Sequence, residues 1–183
     1  MSVRILWHGE GLDRLLDAAH ASITDAVLRV LRDEGWEVAT EVTFNEYGER
    51  GSIDILAFHP ATRSLLVIEI KSVVPDLQAM LGTLDRKVRV AAKVARDRGW
   101  QAATVSRVLV LPDDRTARRR VGQHASTFEA ALPSRTAAVR KWLRKPVGAL
   151  AGVLFLTDAH QGSTRHRVRS GTTSIVRGGP TKM

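Results

Sequence analysis

Two carboxylates and one amine, Asp54, Glu69 and Lys71, lie in two neighbouring apolar runs of the chain. The runs cover residues 51–58 and 65–72, and the turn between them contains Pro60, which predicts a β-hairpin. If the hairpin closes symmetrically, Asp54 faces Glu69, and Lys71 emerges on the same face two residues later. Facing carboxylates repel and are costly to bury, so we expect a cation between them. This pattern indicates a divalent-cation site with a helper lysine.

A third carboxylate follows from the turn at residues 45–50. If that turn also closes symmetrically, Glu41 lies opposite Asp54, which predicts a row of three carboxylates across three strands. The alternative is a simple ion pair of Glu69 at the margin of the sheet. The position of Glu69 inside an apolar run favours a more specific partner. A slip of one residue in either turn would move Asp54 and its partner to opposite faces.

The composition indicates a single globular domain. The chain has 183 residues, 44% of them hydrophobic, and no cysteine, so disulfides and thiolate metal sites are excluded. We place the domain at 11–159, after a lead-in at 1–10 and before a basic tail at 160–183 that is predicted to be disordered. The N-terminal apolar run is too short for a signal peptide, and 147–156 is too short to span a bilayer. We therefore expect a cytoplasmic protein without a membrane partner.

The net charge of +9 is distributed unevenly along the chain. Residues 1–85 carry 14 Asp and Glu against 7 Lys and Arg, whereas residues 86–145 carry 16 Lys and Arg against 4 acids. An acidic half that can bind metal thus adjoins a basic half that can bind phosphate. The basic residues singled out in the second half are Arg86, Lys87, Arg118, Arg119 and Arg120.

Hydrophobic periodicity and turn signals predict an α/β fold in the order α-β-β-β-α-β-α-α-β, with a central mixed sheet of four to five strands flanked by helices. The helix after the hairpin has an apolar stripe, and its basic residues, Lys87 among them, are expected on the opposite, solvated side. Two segments, 32–36 and 96–100, share a Gly-Trp ending that predicts the same helix-to-strand turn. The predicted elements are a helix at 11–34, a strand at 38–44, the hairpin strands, a helix from 76 to Gly99, a strand at 105–111, helices at 116–132 and 136–143, and a strand at 153–156.

This order of elements, with Asp54 on the second strand and Glu69-x-Lys71 on the third, resembles the PD-(D/E)XK nuclease superfamily, which has the restriction-endonuclease-like fold. The resemblance covers roughly residues 12–111. It implies that Asp54 and Glu69 ligate Mg²⁺ or Mn²⁺, together with the main-chain carbonyl of Ile70, and that Lys71 positions or activates the attacking water. Glu41 is the preferred third carboxylate. The segment 48–54 is also similar to domains joined to helix-turn-helix regulators.

Some positions depart from the family pattern, and others can be interpreted in two ways. Ile53 stands where the family name has proline, a substitution that the family tolerates. Thr24 stands where many members have an acid on the first helix. His20 flanks the apolar stripe of that helix and is expected either at the site or as a boundary residue without a role there. Gln78 corresponds to a glutamine that enters the site in some members, although a surface glutamine is the simpler alternative.

Three functional hypotheses follow. The first is a metal-dependent nuclease acting on DNA, in which Arg50 and Ser52 meet a phosphate and the basic half holds the flanking backbone. The second is a non-catalytic DNA-binding or regulatory module that keeps the nuclease fold, which Thr24 favours. The third is a protein-interaction domain with a basic face. A homodimer stays open, because no residue pattern defines a dimer seam.

Overall fold

The computed structural model describes residues 9–46, 48–74 and 76–157, and side chains from Arg14 onward. The predicted tail at 160–183, most of the lead-in and Pro75 lie outside the described residues. The elements are α1 (Gly9–Asp33), β1 (Glu37–Glu46), β2 (Glu49–His59), β3 (Ser64–Ile70), α2 (Leu77–Asp97), β4 (Thr104–Pro112), α3 (Arg115–Gln123), α4 (Ala125–Ala131), α5 (Thr136–Arg144) and β5 (Ala151–Leu156).

The five strands form one mixed sheet in the order β1-β2-β3-β4-β5. The pairs β1–β2 and β2–β3 are antiparallel, and the pairs β3–β4 and β4–β5 are parallel. The parallel pairs need crossover connections, which α2 provides for the first and α3, α4 and α5 provide for the second. The predicted α/β fold with a mixed sheet flanked by helices is therefore confirmed.

Both hairpin registers follow the symmetric closure predicted from the sequence. In β2–β3, Ile55 pairs with Ile68 and His59 pairs with Ser64. In β1–β2, Val42 pairs with Ile53. Asp54 and Glu69 lie one position beyond the last pair of the β2–β3 ladder, in the same register.

The β1–β2 ladder is interrupted at Glu41, where pairing passes from Thr40 directly to Val42. Glu41 has a φ of 47°, in the left-handed region that a residue with a Cβ seldom adopts. The regular alternation of side chains between the two faces of the sheet is also broken at this point of β2, because residues 53 and 55 lie on opposite faces. Ile55 packs in one core of the protein, whereas Ile53 packs in the other. The sheet is therefore distorted beside Asp54.

Helices cover both faces of the sheet and enclose two hydrophobic cores. The first core lies under α2, α3 and α4, and includes Leu84, Phe128 and Leu109. The second lies under α1 and α5, and includes Leu31 and Val139. Strand β3 is buried along its whole length because helices pack on both of its faces.

The two Gly-Trp segments end their helices in the same way, as predicted. Gly35 and Gly99 have φ values of 80° and 81°. In each case the following tryptophan donates its N–H to the carbonyl five residues earlier, as in a Schellman cap. By contrast, the single helix predicted at 116–132 is wrong, because it is divided into α3 and α4 at His124, whose φ and ψ are −119° and 33°. The break allows Phe128 to reach the core, where it is fully buried.

Candidate functional site

Asp54 and Glu69 lie on the same face of the sheet and share one cationic partner. The Lys87 ammonium is 3.0 Å from Asp54 Oδ1 and also contacts Glu69 Oε2. The predicted juxtaposition of the two carboxylates is therefore present, and a cation does lie between them. In this structure that cation is a lysine of α2.

Each oxygen of the two carboxylates has a partner within the protein. Asp54 Oδ2 accepts a hydrogen bond of 2.7 Å from the main-chain N–H of Ile70. Glu69 Oε1 lies 2.8 Å from the Lys71 ammonium. The two remaining oxygens contact Lys87. Two carboxylates thus face two ammonium groups, and the charges of the four side chains sum to zero.

Burial differs strongly within this cluster. Glu69 is 1% exposed and Lys87 6% exposed, whereas the side chain of Lys71 is 34% exposed. Interactions between charges are stronger away from water, but each unpaired charge there is costly. Glu69 and Lys87 therefore depend on each other, while Lys71 can also interact with a molecule from solvent.

Lys87 is on the buried side of α2, so its predicted position on the solvated side of the helix is wrong. The buried residues of α2 include Met80, Leu84, Lys87 and Ala91. These positions recur at intervals of three and four residues, which is the spacing of one helix face. A lysine in that spacing, opposite two carboxylates in neighbouring strands, is the signal that could have identified it.

An open cleft of about 350 Å³ lies beside the carboxylates. Its walls come from α1, from the three strands β1, β2 and β3, and from the segment that follows β3. The residues that line it are His20, Glu41, Asp54, Ile70, Lys71, Ser72 and Val73. The candidate site is therefore accessible from solvent through the side that carries Lys71.

Glu41 lines this cleft together with Asp54, and its role as a third carboxylate stays a prediction. Its Oε2 accepts a hydrogen bond of 3.2 Å from the hydroxyl of Ser52. No group of three or more His, Asp or Glu side chains that could hold a metal ion occurs in the part of the chain that the structure describes. Asp54 and Glu69 form the carboxylate pair of the cluster, and Glu41 lies in the wall of the adjacent cleft. A role for the Ile70 carbonyl stays a prediction.

The remaining candidates from the first two helices take different positions. His20 lines the cleft, and its carbonyl accepts a hydrogen bond of 2.8 Å from the Thr24 hydroxyl. Gln78 is exposed on the first turn of α2, does not line the cleft, and donates its main-chain N–H to the capping residue Asp76. The structure thus brings His20 to the site and leaves Gln78 outside it.

Several of the basic candidates form hydrogen bonds with side chains of the protein itself. Arg118 forms two hydrogen bonds with Asp113, at 2.5 and 2.9 Å, and this contact lowers the pKa of Asp113 from its ordinary value. Arg86 bonds to Thr83, and Arg50 bonds to Asn45. The exposed arginines of α3 that carry the prediction of phosphate contact are Arg119 and Arg120.

Two further ion pairs attach the hairpin of β1 and β2, here called the first hairpin, to α2. Arg89 pairs with Glu49 at 2.7 Å, and Lys93 pairs with Glu46 at 2.8 Å. The hydrogen bond to Glu46 is the main cause that raises the pKa of Lys93. Part of the excess positive charge of the second half is thus used to hold the acidic half in place.

The chain matches no model of a known protein family and no curated protein. Within residues 9–46, 48–74 and 76–157, no helix is long and apolar enough to cross a membrane.

Proposed function

We propose that this chain is a divalent-metal-dependent nuclease that hydrolyses phosphodiester bonds of DNA, with a restriction-endonuclease-like core. The proposal rests on one observation: oxygens of Asp54 and Glu69 converge on a single cation position. Lys71, the proposed helper, is partly exposed and lines the adjacent cleft.

The donor set suits a hard cation. Both oxygens belong to carboxylates, which Mg²⁺ and Mn²⁺ prefer as ligands, and their convergence on Lys87 supports the proposal that they share one ion. Asp54 and Glu69 would hold the ion. A divalent ion there supplies neutralisation of phosphate charge and a more acidic water.

The protein side chains around the cleft supply the positioning. An ammonium has three donors, so Lys71 can keep its bond to Glu69 and still bind a water and a phosphate oxygen. Glu41 lies in the cleft wall and can accept from such a water. Exposed arginines such as Arg119 and Arg120 are suited to contacts with the flanking backbone, which would be sensitive to salt and carry little sequence preference.

Cleavage assays with matched variants test this proposal. Supercoiled plasmid, linear duplex and single-stranded DNA are incubated with Mg²⁺ or Mn²⁺ and with wild-type protein, Asp54→Asn or Glu69→Gln. We expect each variant to lose at least about 100-fold in cleavage rate while DNA binding is retained, because a ligand of the ion is removed. Glu129→Gln, an exposed site on α4, is the control and should cleave as wild type. Cleavage that persists in both site variants contradicts the proposal.

A non-catalytic DNA-binding or regulatory module is the second candidate. It is favoured by the position of Lys87, because a protein whose carboxylates are already neutralised by lysines has no need of a metal to be stable. DNA that is shifted in a gel without product, at every divalent metal tested, would select this alternative.

A further inference from the structure

Lys87 and Glu69 are the two buried residues with charged side chains among the residues that the structure describes. They contact each other, and Lys87 reaches Asp54 as well. Removing a charge from water is costly unless a partner compensates it. Lys87 therefore belongs to the site and has a different role from the solvated basic residues of α2.

The position of the Lys87 ammonium is also the position in which a divalent ion would be held. An ion between Asp54 Oδ1 and Glu69 Oε2 would lie against the Lys87 ammonium, and two like charges at such a distance repel strongly in a buried site. In addition, Lys71 and Lys87 together cancel the negative charge that attracts an ion. Lys87 and a divalent ion thus exclude each other.

We propose that Lys87 is an internal competitor of the metal: it occupies the cation position of Asp54 and Glu69 in the metal-free protein, and it must withdraw before a divalent ion binds. Lys87 is thereby a positioning residue, because it keeps the two carboxylates together while no ion is present. The inference rests on the proposed function only for the identity of the competing ion. It predicts that Lys87, and not the carboxylates alone, sets the metal affinity.

Mn²⁺ binding in the absence of DNA tests the competition. The full chain and its Lys87→Met variant are titrated with Mn²⁺, and free Mn²⁺ is measured by electron paramagnetic resonance. Methionine keeps an unbranched stem of similar length and removes the charge. We expect the variant to bind Mn²⁺ at least about tenfold more tightly than wild type, a change of about 1.4 kcal/mol. Equal affinity would overturn the inference.

Two further variants make the result specific. Lys93→Met lies on the same helix and loses its pairs with Glu46 and Asp97, so its Mn²⁺ affinity should stay within about twofold of wild type. Lys87→Arg keeps the positive charge and should bind Mn²⁺ no more tightly than wild type. Tighter binding by Lys93→Met or Lys87→Arg would contradict competition at this position.

A measurement on the wild-type protein covers the case in which Lys87→Met does not fold. The ¹⁵N resonance of the Lys87 ammonium should shift on addition of Mg²⁺, while that of Lys93 should not. An unchanged Lys87 resonance at a Mg²⁺ concentration that supports cleavage would overturn the inference and leave the nuclease proposal intact. Tighter Mn²⁺ binding by Lys87→Met, with no cleavage by wild type, would support the inference and overturn the nuclease proposal. No Mn²⁺ binding by either protein would overturn both.

Discussion

Lys71 and Lys87 meet the same carboxylate, yet only one of them could be placed from the sequence. Lys71 is two residues from Glu69 on one strand, so the alternation of strand side chains brings them together. Lys87 depends on how α2 is rotated against the sheet. Because lysines are usually solvated, the sequence groups Lys87 with Arg86 on the solvated side of the helix. The rotation is set by the packing of Leu84 and Ala91, which a count of charges does not reveal.

The ion pair between Asp113 and Arg118 predicts how the free energy of unfolding depends on pH. Its pKa is lowered from 3.8, chiefly by the hydrogen bonds from Arg118. A carboxyl whose folded pKa lies below its unfolded pKa stabilises the protein above the unfolded value, and this stabilisation is lost as the pH falls through the lowered pKa. The pair is partly exposed, so we expect Asp113→Asn to lower the free energy of unfolding at pH 7 by only about 0.5 to 1 kcal/mol.

Urea denaturation at several pH values measures this effect. The difference between wild type and Asp113→Asn should be constant near neutral pH and shrink below about pH 4, where Asp113 begins to take up a proton in the unfolded chain. Asp97→Asn is the control, because Asp97 is well exposed and its contact with Lys93 is long, at 3.4 Å. A difference that grows as the pH falls would contradict the assignment.

For helices and strands, features set by residues close in sequence could be predicted, whereas features set by packing between distant residues could not. The turns around Pro60 and Gly48 set both hairpin registers, and the Gly-Trp endings set two helix caps. The interruption at Glu41 could not be predicted from the sequence. A left-handed backbone is usually indicated by a glycine, and residue 41 is a glutamate. The spacing of apolar residues in the first helix predicts a buried Leu15, but Leu15 is largely exposed because the core under α1 begins at Ile23.

Two Gly→Ala changes, one inside α2 and one at the cap that ends it, are expected to change the free energy of unfolding in opposite directions. Among the described residues, chain neighbours and the surrounding helix backbone aside, no atom lies within 4 Å of a Cβ added at Gly82 or Gly99, so packing does not distinguish them. Gly99 has a φ of 81°, and alanine there should cost about 1 to 2 kcal/mol. Gly82 lies inside α2, where alanine should stabilise by about 0.5 to 1 kcal/mol.

Thermal unfolding of the two variants checks this prediction, since both carry the same added methyl group. A lowered melting temperature for Gly99→Ala together with a raised one for Gly82→Ala is expected. Equal shifts in the same direction would show that the left-handed cap does not limit residue 99.

For the whole molecule, the unequal charge of the two halves has an internal as well as an external role. Glu46 and Glu49 on the first hairpin pair with Lys93 and Arg89 on α2, so attraction between the halves stabilises the position of the hairpin. The sequence predicted the charge division and the α/β architecture. It could not predict which cations remain available to a polyanion, because that depends on ion pairs between residues distant in sequence.

The central claim is that Asp54 and Glu69 define one cation position, which is held either by Lys87 or by a divalent ion. Anomalous diffraction from crystals of the protein grown with Mn²⁺ tests it most directly. The account predicts an anomalous peak within ligand distance of both carboxylates, with the Lys87 ammonium moved away from them. The absence of a peak at saturating Mn²⁺, or a peak elsewhere with Lys87 still bound to both carboxylates, would contradict it.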